Sequence, residues 1–395
     1  MKDENRGLLE AIARVGRHNP SSPDLRAVDV FRPYFDNGGH LDRELLDNRD
    51  GSCTRRELLL RYLLLSAVID QGPDIVGVRR LLVDVTNALY RREVRFLHRP
   101  IDFFKELGIG IDAIVEKHKG IKALRADEWA AENDSNPRKY NLFMDNSHQA
   151  LNFAIFRWGV PLAVPHLLEK DCKDDEARAE VLLRHLQSFI SAEEMSQQLK
   201  GHERYGLGKA IGDKACHLFA KWMVSTFEIS TRTDPGWGPF GFESPYDSNA
   251  GRVLWRTGYL LRLATEGEFE RRDVIQRGGG KGGKHYIRVT NMRGMKASKP
   301  MASSIRDAYE TVCRDHLRSH KRAPKNLEIQ RVQHAYLFRS FGKNGLNVAN
   351  FDDGLIRIGT KYCYNLANPD CTSCPLRRKC VGHLSTRRLI TAFRT

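Results

Sequence analysis

Ala210-Ile-Gly-Asp-Lys-Ala-Cys-His-Leu-Phe-Ala-Lys-Trp222 is a short glycine turn that opens directly into an amphipathic pattern beginning near Asp213. Glycine lets a backbone approach an anion closely, and the first amides of a helix have no partners of their own. The stretch therefore suits one phosphate, docked without sequence preference. Taken alone, such a turn is equally an ordinary connection between two helices.

Two further stretches lie downstream. Pro245-Tyr-Asp-Ser-Asn-Ala-Gly-Arg-Val-Leu-Trp-Arg-Thr-Gly258 sets Asp247 and Ser248 at the head of another helical pattern, with Arg252 and Arg256 one turn apart. The plain reading is an N-cap aspartate followed by surface arginines. Near the C-terminus, Cys363, Cys371, Cys374 and Cys380 are separated by seven, two and five residues in turn. Four thiolates on one short loop can close around a single inorganic centre. A structural zinc site more often presents two knuckles on separate hairpins, so this spacing favours an iron–sulfur cluster, although His383 keeps zinc open. Disulfides are disfavoured by the chain's length and by an opening, Met1-Lys2-Asp3-Glu4-Asn5, without the apolar run of a signal peptide. Cys53, Cys172, Cys216 and Cys313 are scattered and read as small buried hydrophobes.

Lys+Arg 64 against Asp+Glu 49 leaves a net charge of +15, which points to a polyanionic partner, most simply nucleic acid. No run approaches the roughly 18 apolar residues of a membrane helix, so a cytoplasmic protein with no membrane partner is expected, nucleoid-associated in a prokaryote. Apolar residues recur at helical spacing over Leu8–Val15, Arg55–Ile69, Gly77–Tyr90, Gln149–Phe156, Glu176–Ile190, Asp213–Phe227 and Ala250–Ala264. Lys284–Thr290 is the one tempting strand. Asp127–Asn141, Ser230–Ser244 and Arg271–Pro300 read as loops or insertions. The last carries Arg277-Gly-Gly-Gly-Lys-Gly-Gly-Lys-His285, which suits a phosphate backbone or an open surface loop equally, and lacks the ending of a nucleotide P-loop.

Taken in order, the three stretches resemble the helix-hairpin-helix DNA glycosylases of the endonuclease III and adenine glycosylase type. Ile211-Gly212-Asp213-Lys214 matches the family's hairpin turn. Asp247-Ser248-Asn249 with Arg252-Val253 matches its catalytic-aspartate helix, and Cys374-Pro375-Leu376 its cluster loop. The lead-in Gly354-Leu-Ile-Arg-Ile-Gly359 is similar too, and Leu63-Leu-Leu-Ser-Ala-Val-Ile-Asp-Gln71 resembles an early helix ending in a glutamine that wedges into DNA. Departures are Ala210 for the first hairpin glycine, Asn249 for the usual histidine, a first cysteine gap one residue longer, and a long interval from Lys214 to Asp247. An overlapping Gly206-Leu-Gly208-Lys209 offers another hairpin register. Lys214 is preferred because its register keeps Leu218 and Phe219 on the family's apolar face.

The resemblance implies an all-α protein of two helical domains with a DNA cleft between them. Residues 57–227 would form the hairpin-bearing barrel. Residues 1–56 would pack on the cluster domain, and 228–395 would supply the insertion, the aspartate helix and a 4Fe–4S cluster held by the four cysteines. It further implies a monomeric DNA glycosylase acting on double-stranded DNA. Asp247 would stabilise the oxocarbenium-like sugar, while Lys214 would either attack C1′ as a lyase or contact phosphate. Gln71, Lys209, Ile211, Gly212, Arg252, Arg256, Arg377, Arg378 and Lys379 would bind DNA. Trp237, Phe240, Tyr246 and Trp255 could roof a base pocket or simply pack. A modified or mismatched base is the expected substrate, with a glycosylated phage cytosine as the bulky extreme. The rival from another class is a non-catalytic DNA-binding protein with a structural or redox-sensing cluster.

Overall fold

The computed structural model describes residues 3–70, 75–122, 154–245, 247–257, 273–277, 287–291, 344–363, 369–380 and 383. Of these, 3–6, 154–156, 209, 248, 251, 252, 255, 273–277 and 287–291 are described by backbone alone. In chain order the elements are α1 (Asp3–Arg17), β1 (Arg49–Asp50), β2 (Cys53–Thr54), α2 (Arg55–Ile69), α3 (Ile75–Arg91), α4 (Pro100–Leu107), α5 (Ile111–His118) and α6 (Ala154–Asp171). They continue with α7 (Asp175–Arg178), α8 (Val181–Gln187), α9 (Ala192–Gly201), α10 (Asp213–Lys221), α11 (Ser248–Arg256), β3 (Asp273–Arg277), β4 (Ile287–Asn291) and α12 (Val348–Lys361). The protein is mostly helical. Among the described residues no helix is long and apolar enough to cross a membrane. The strand expected over Lys284–Thr290 is β4, paired antiparallel with β3 so that Ile275 faces Val289. The glycine-rich run between them and the Asp127–Asn141 insertion lie outside the described residues.

The chain divides into two compact units, 1–21 with 242–395 and 22–241. These boundaries differ from the expected breaks after 56 and 227, and side-chain chemistry explains why. Residues 22–56 belong with the helical unit: Phe31 meets Tyr62 of α2 edge-on at 5.3 Å, and Asn87 of α3 donates to Ala27 O at 3.0 Å. Arg56 pairs with Asp47 at 2.7 Å while its Nη1 donates to Ile229 O at 2.6 Å, which holds residues past 227 in the same unit.

In the 22–241 unit, α2 is buried around its whole circumference, with α6, α8 and α10 packed on it. Its charged residues Arg56, Glu57 and Arg61 are inside as well. The Glu57 carboxylate accepts from the Leu182 and Leu183 amides at 3.0 and 2.9 Å and from Arg61 Nε at 2.9 Å. It thereby caps α8, whose own N-cap position, Glu180, supplies no side-chain bond. Burial pushes the Glu57 carboxyl above its ordinary range, and Arg61 opposes that shift. Arg61 also donates to Leu97 O and lies 2.7 Å from Glu169 of α6. Removing either end of such a pair leaves a buried charge uncompensated.

The other unit is organised on α12. Its start is fixed by a reciprocal capping box between Asn347 and Asn350. α1 lies along it so closely that a Cβ on Gly16 would stand 1.8 Å from Asn350 O, and one on Gly354 2.0 Å from Ile12 O. Leu8, Leu9, Ile12 and Ala13 of α1 are fully buried. Ser21 N donates to Asp353 Oδ1 at 3.0 Å just past the helix.

Gly354→Ala should therefore destabilise the protein by about 1–3 kcal/mol, although alanine ordinarily favours a helix interior. Gly201→Ala, where no atom lies within 4 Å of the added carbon, serves as the control. Thermal melting checks the contrast, and equal midpoints for the two variants would contradict the close packing.

Candidate functional site

α12 ends where the cysteine loop begins. The Tyr362 and Cys363 amides both donate to Ile358 O, at 3.1 and 2.8 Å, and this closes the helix and sets the Cys363 side chain beyond its last turn. Asp370 N then returns to Tyr362 O at 2.8 Å. The Asp370 carboxylate accepts from Ser373 N and Thr372 Oγ1, bonds that hold it below the usual carboxylate range, with the Ser373 amide the largest cause. Arg377 N to Cys374 O and Cys380 N to Leu376 O shape the rest of the loop, which is pinned by the buried Leu376.

Folded this way, Cys363, Cys371, Cys374 and Cys380 all line one cavity of about 40 Å³, together with Val253, Arg256, Ile358, Tyr362 and His383. That is several times the roughly 10–15 Å³ a single water needs. These cysteines carry thiols rather than disulfides. The Cys374 thiol is pushed up to about 11, first by burial and then by the other three sulfurs, so a negative set here calls for a cation among its members. Among the described residues no three His, Cys, Asp or Glu side chains gather as tightly as one ion requires. Four sulfurs lining one shared space form the donor set that a tetrahedral zinc or an iron–sulfur core takes.

Arg256 was expected at DNA. Instead it is buried, its Nη1 donates to Cys363 Sγ at 3.4 Å, and its carbonyl oxygen accepts from Cys380 Sγ at 3.4 Å. The reason is the position of α11, which packs on α12 with Val253 and Leu254 buried and turns its last residue toward the loop. A signal was present in the sequence. Arg256 lies three residues beyond Val253, on the apolar side of its helix.

At the other end of α11 stands Asp247. Its Oδ1 accepts from Asn249 N at 2.8 Å and Ala250 N at 2.9 Å, a two-amide N-cap. Oδ2 makes no hydrogen bond among the described residues. Gly359 of α12 admits the first turn of α11, since a Cβ there would stand 2.9 Å from Asn249 Cβ. One helix thus joins a clamped carboxylate at its head to the cysteine cavity at its tail. Arg252 and Trp255 lie on it and are described by backbone alone, whereas Tyr246 falls outside the described residues. Arg377, Arg378 and Lys379 are exposed on the cysteine loop, as a phosphate-contacting role requires.

The hairpin belongs to the 22–241 unit, between α9 and α10. His202 Nδ1 accepts from the Arg204 and Tyr205 amides at 3.2 Å each, and Arg204 grips both oxygens of Asp171 at 2.7 and 2.8 Å. Gly208 has φ +54, and a Cβ there would stand 2.4 Å from Lys122 O. Gly206 would meet His202 O at the same distance. Both overlapping registers are therefore used, the pair Gly206 and Gly208 to fold the turn and Gly212 as the N-cap of α10. Lys214 is half-buried in the first turn of α10, and Leu218 and Phe219 are buried behind it. Lys209 is placed by its backbone in a short 3₁₀ turn. Ile211 is 2 % exposed, so its side chain is a core residue and only its backbone could meet a phosphate. Beneath the turn, burial and the neighbouring His202 push the His185 imidazole down to about 4.

Trp237 is likewise a packing residue. It is buried, its Nε1 donates to Phe189 O at 3.3 Å, and Arg232 lies over its ring. Phe240 nearby is half-buried, and Gln71 falls outside the described residues. Compared with family models, with characterised proteins and with solved structures, the chain matches none.

Replacing Arg256 by leucine should lower stability by roughly 1–3 kcal/mol through the lost charge-assisted bond, and leave the salt dependence of any DNA binding unchanged. A phosphate contact would behave the opposite way, flattening the plot of log affinity against log salt by about 0.9.

Proposed function

We propose that this protein is a DNA glycosylase, with Asp247 as its catalytic carboxylate and a 4Fe–4S cluster held by Cys363, Cys371, Cys374 and Cys380. The observation that carries this reading is the construction of α11. Its head holds a carboxylate by two backbone amides, and its tail is bonded to two of the four cysteines. The motif order described above adds the hairpin as a phosphate clamp.

Cleaving an N-glycosidic bond develops positive charge on the sugar, and a carboxylate that cannot rotate away stabilises that charge with little reorganisation. The two amides on Oδ1 supply the fixed orientation, which leaves Oδ2 for the sugar or for the incoming water. Water adds at C1′, its proton passes to the departing base, and an abasic site remains. The base must first leave the stack at a cost of a few kcal/mol, offset by backbone contacts from the hairpin amides and from Arg377, Arg378 and Lys379. The iron–sulfur group would supply structure, holding the loop in one shape. Lys214, near the start of α10, is assigned to a phosphate contact, and attack at C1′ by its amine is the alternative. The substrate is a modified or mismatched base in double-stranded DNA.

A second reading, a non-catalytic DNA-binding protein, is favoured by one observation: the bonds of Asp247 are also those of an ordinary N-cap. Asp247→Asn separates the two, because asparagine caps a helix about as well as aspartate. Duplexes carrying a panel of damaged and mismatched bases, together with phage DNA containing glycosylated cytosine, would be incubated with protein and assayed for alkali-labile sites. Base release by the native protein and a loss of about 10²–10³-fold in Asp247→Asn, with DNA binding retained, is expected. Intact DNA throughout, or an equally active variant, would overturn the enzyme reading.

A further inference from the structure

The outer face of α1 has no role in the site described so far. At ~100° per residue, Gly7, Arg14 and His18 fall within roughly 40° of one another, opposite the face that Leu8, Ile12, Ala13 and Gly16 turn to α12. Lys379 of the cysteine loop joins this stripe, with its Nζ 2.8 Å from where a Cβ on Gly7 would stand. At the C-terminal end of α1, Arg14, Arg17, His18, Asn344 and Leu346 line an open cavity of about 470 Å³.

The cavity is one-sided in charge. Among the described residues no acidic side chain lines it, and Arg14, Arg17 and His18 form no ion pair. The nearest acid on the helix, Glu10, accepts from Asn344 Nδ2 at 3.0 Å, and Arg17 Nη2 reaches Gly345 O at 3.4 Å, which leaves the rest of its guanidinium available. Leu346 immediately precedes the N-cap of the fourteen-residue α12, so the positive end of a helix adjoins the cavity as well. A solvated basic face would account for scattered arginines. It does not account for a cavity whose charged lining among the described residues is wholly cationic, in line with a lysine of the loop already assigned to phosphate.

We propose that this cavity binds a backbone phosphate of the DNA duplex, a phosphodiester site separate from the hairpin and from the cysteine loop. This rests on duplex DNA being the partner. Gly7 and Arg14 are seven residues apart, or ~10 Å along the helix at ~1.5 Å per residue, which spans roughly three nucleotides at ~3.4 Å per step. Lys379 and the Arg14–Arg17 cavity would thus engage separate phosphates of the same duplex.

The test is the salt dependence of duplex binding by the full chain. Arg14→Ala/Arg17→Ala should weaken binding equally for all sequences and reduce the slope of log affinity against log salt by about 1, since each phosphate contact contributes ~0.9. Arg14→Lys/Arg17→Lys should restore the slope because the charge is kept. Arg32→Ala, an ion-paired surface arginine of the other unit, should leave it unchanged. An unchanged slope in the double alanine variant, with its melting temperature intact, would overturn the proposal. So would calorimetric binding of inorganic phosphate that is lost in the variant while the DNA slope stays the same, which would mark a small-anion site. If the native protein binds no duplex even at low salt, the DNA reading itself fails, and that result is distinct from both.

Discussion

The contact on which the candidate site depends is the approach of two helices to α12 at three positions that tolerate no side chain. Gly16 of α1 and Gly354 of α12 bring those backbones together, and Gly359 admits the first turn of α11. Each added carbon would fall within 3 Å of a neighbour, so these are constraints of space rather than of backbone conformation. Because α12 runs straight into Cys363, whatever holds α12 also sets one wall of the cysteine cavity. Because α11 rests on α12, the same contact fixes Asp247 relative to that cavity.

The 22–241 unit is held differently. Its central helix has no polar face, and its ionic residues are satisfied inside by Glu57, Arg61 and Glu169, which tie together α2, α6, α8 and the carbonyls of Leu97 and His98. A buried network of this kind adds little net stability but is costly to break, so it specifies one arrangement. The hairpin inherits that rigidity through Asp171 at the end of α6, which anchors Arg204 and Tyr205. Amides that are to meet a phosphate need such a frame, because a loop that had to be ordered on binding would weaken the contact.

Much of this was legible in the amino-acid pattern, for local reasons. α2 spans Arg55–Ile69, the bounds its helical spacing predicts, behind a Thr54 cap, and the four-cysteine spacing brought all four sulfurs to one cavity. What escaped was non-local. Glu176–Ile190 reads as one helix yet breaks at Ala179, because Asp174 caps the first piece and the distant Glu57 caps the second. Arg256 lies on the apolar side of its helix beside Val253, which signals burial, but nothing near it in sequence announces the sulfurs of Cys363 and Cys380. The aromatics of the loop before Asp247 read equally as a base pocket or as packing, and the Phe189 carbonyl draws Trp237 into the core. α4, α5 and α9 are short and mixed in pattern, and packing rather than periodicity makes them helices.

The proposed function depends most directly on what the four sulfurs hold, since Arg256 at the tail of α11 is bonded to two of them. Anaerobic purification followed by iron, sulfide and zinc analysis is the direct measurement. About four irons and four sulfides per chain, with a broad absorbance near ~400 nm, is the result predicted for a cluster held by four thiolates. One zinc per chain in a colourless preparation would contradict it, and with it the iron–sulfur cluster assigned to the four cysteines.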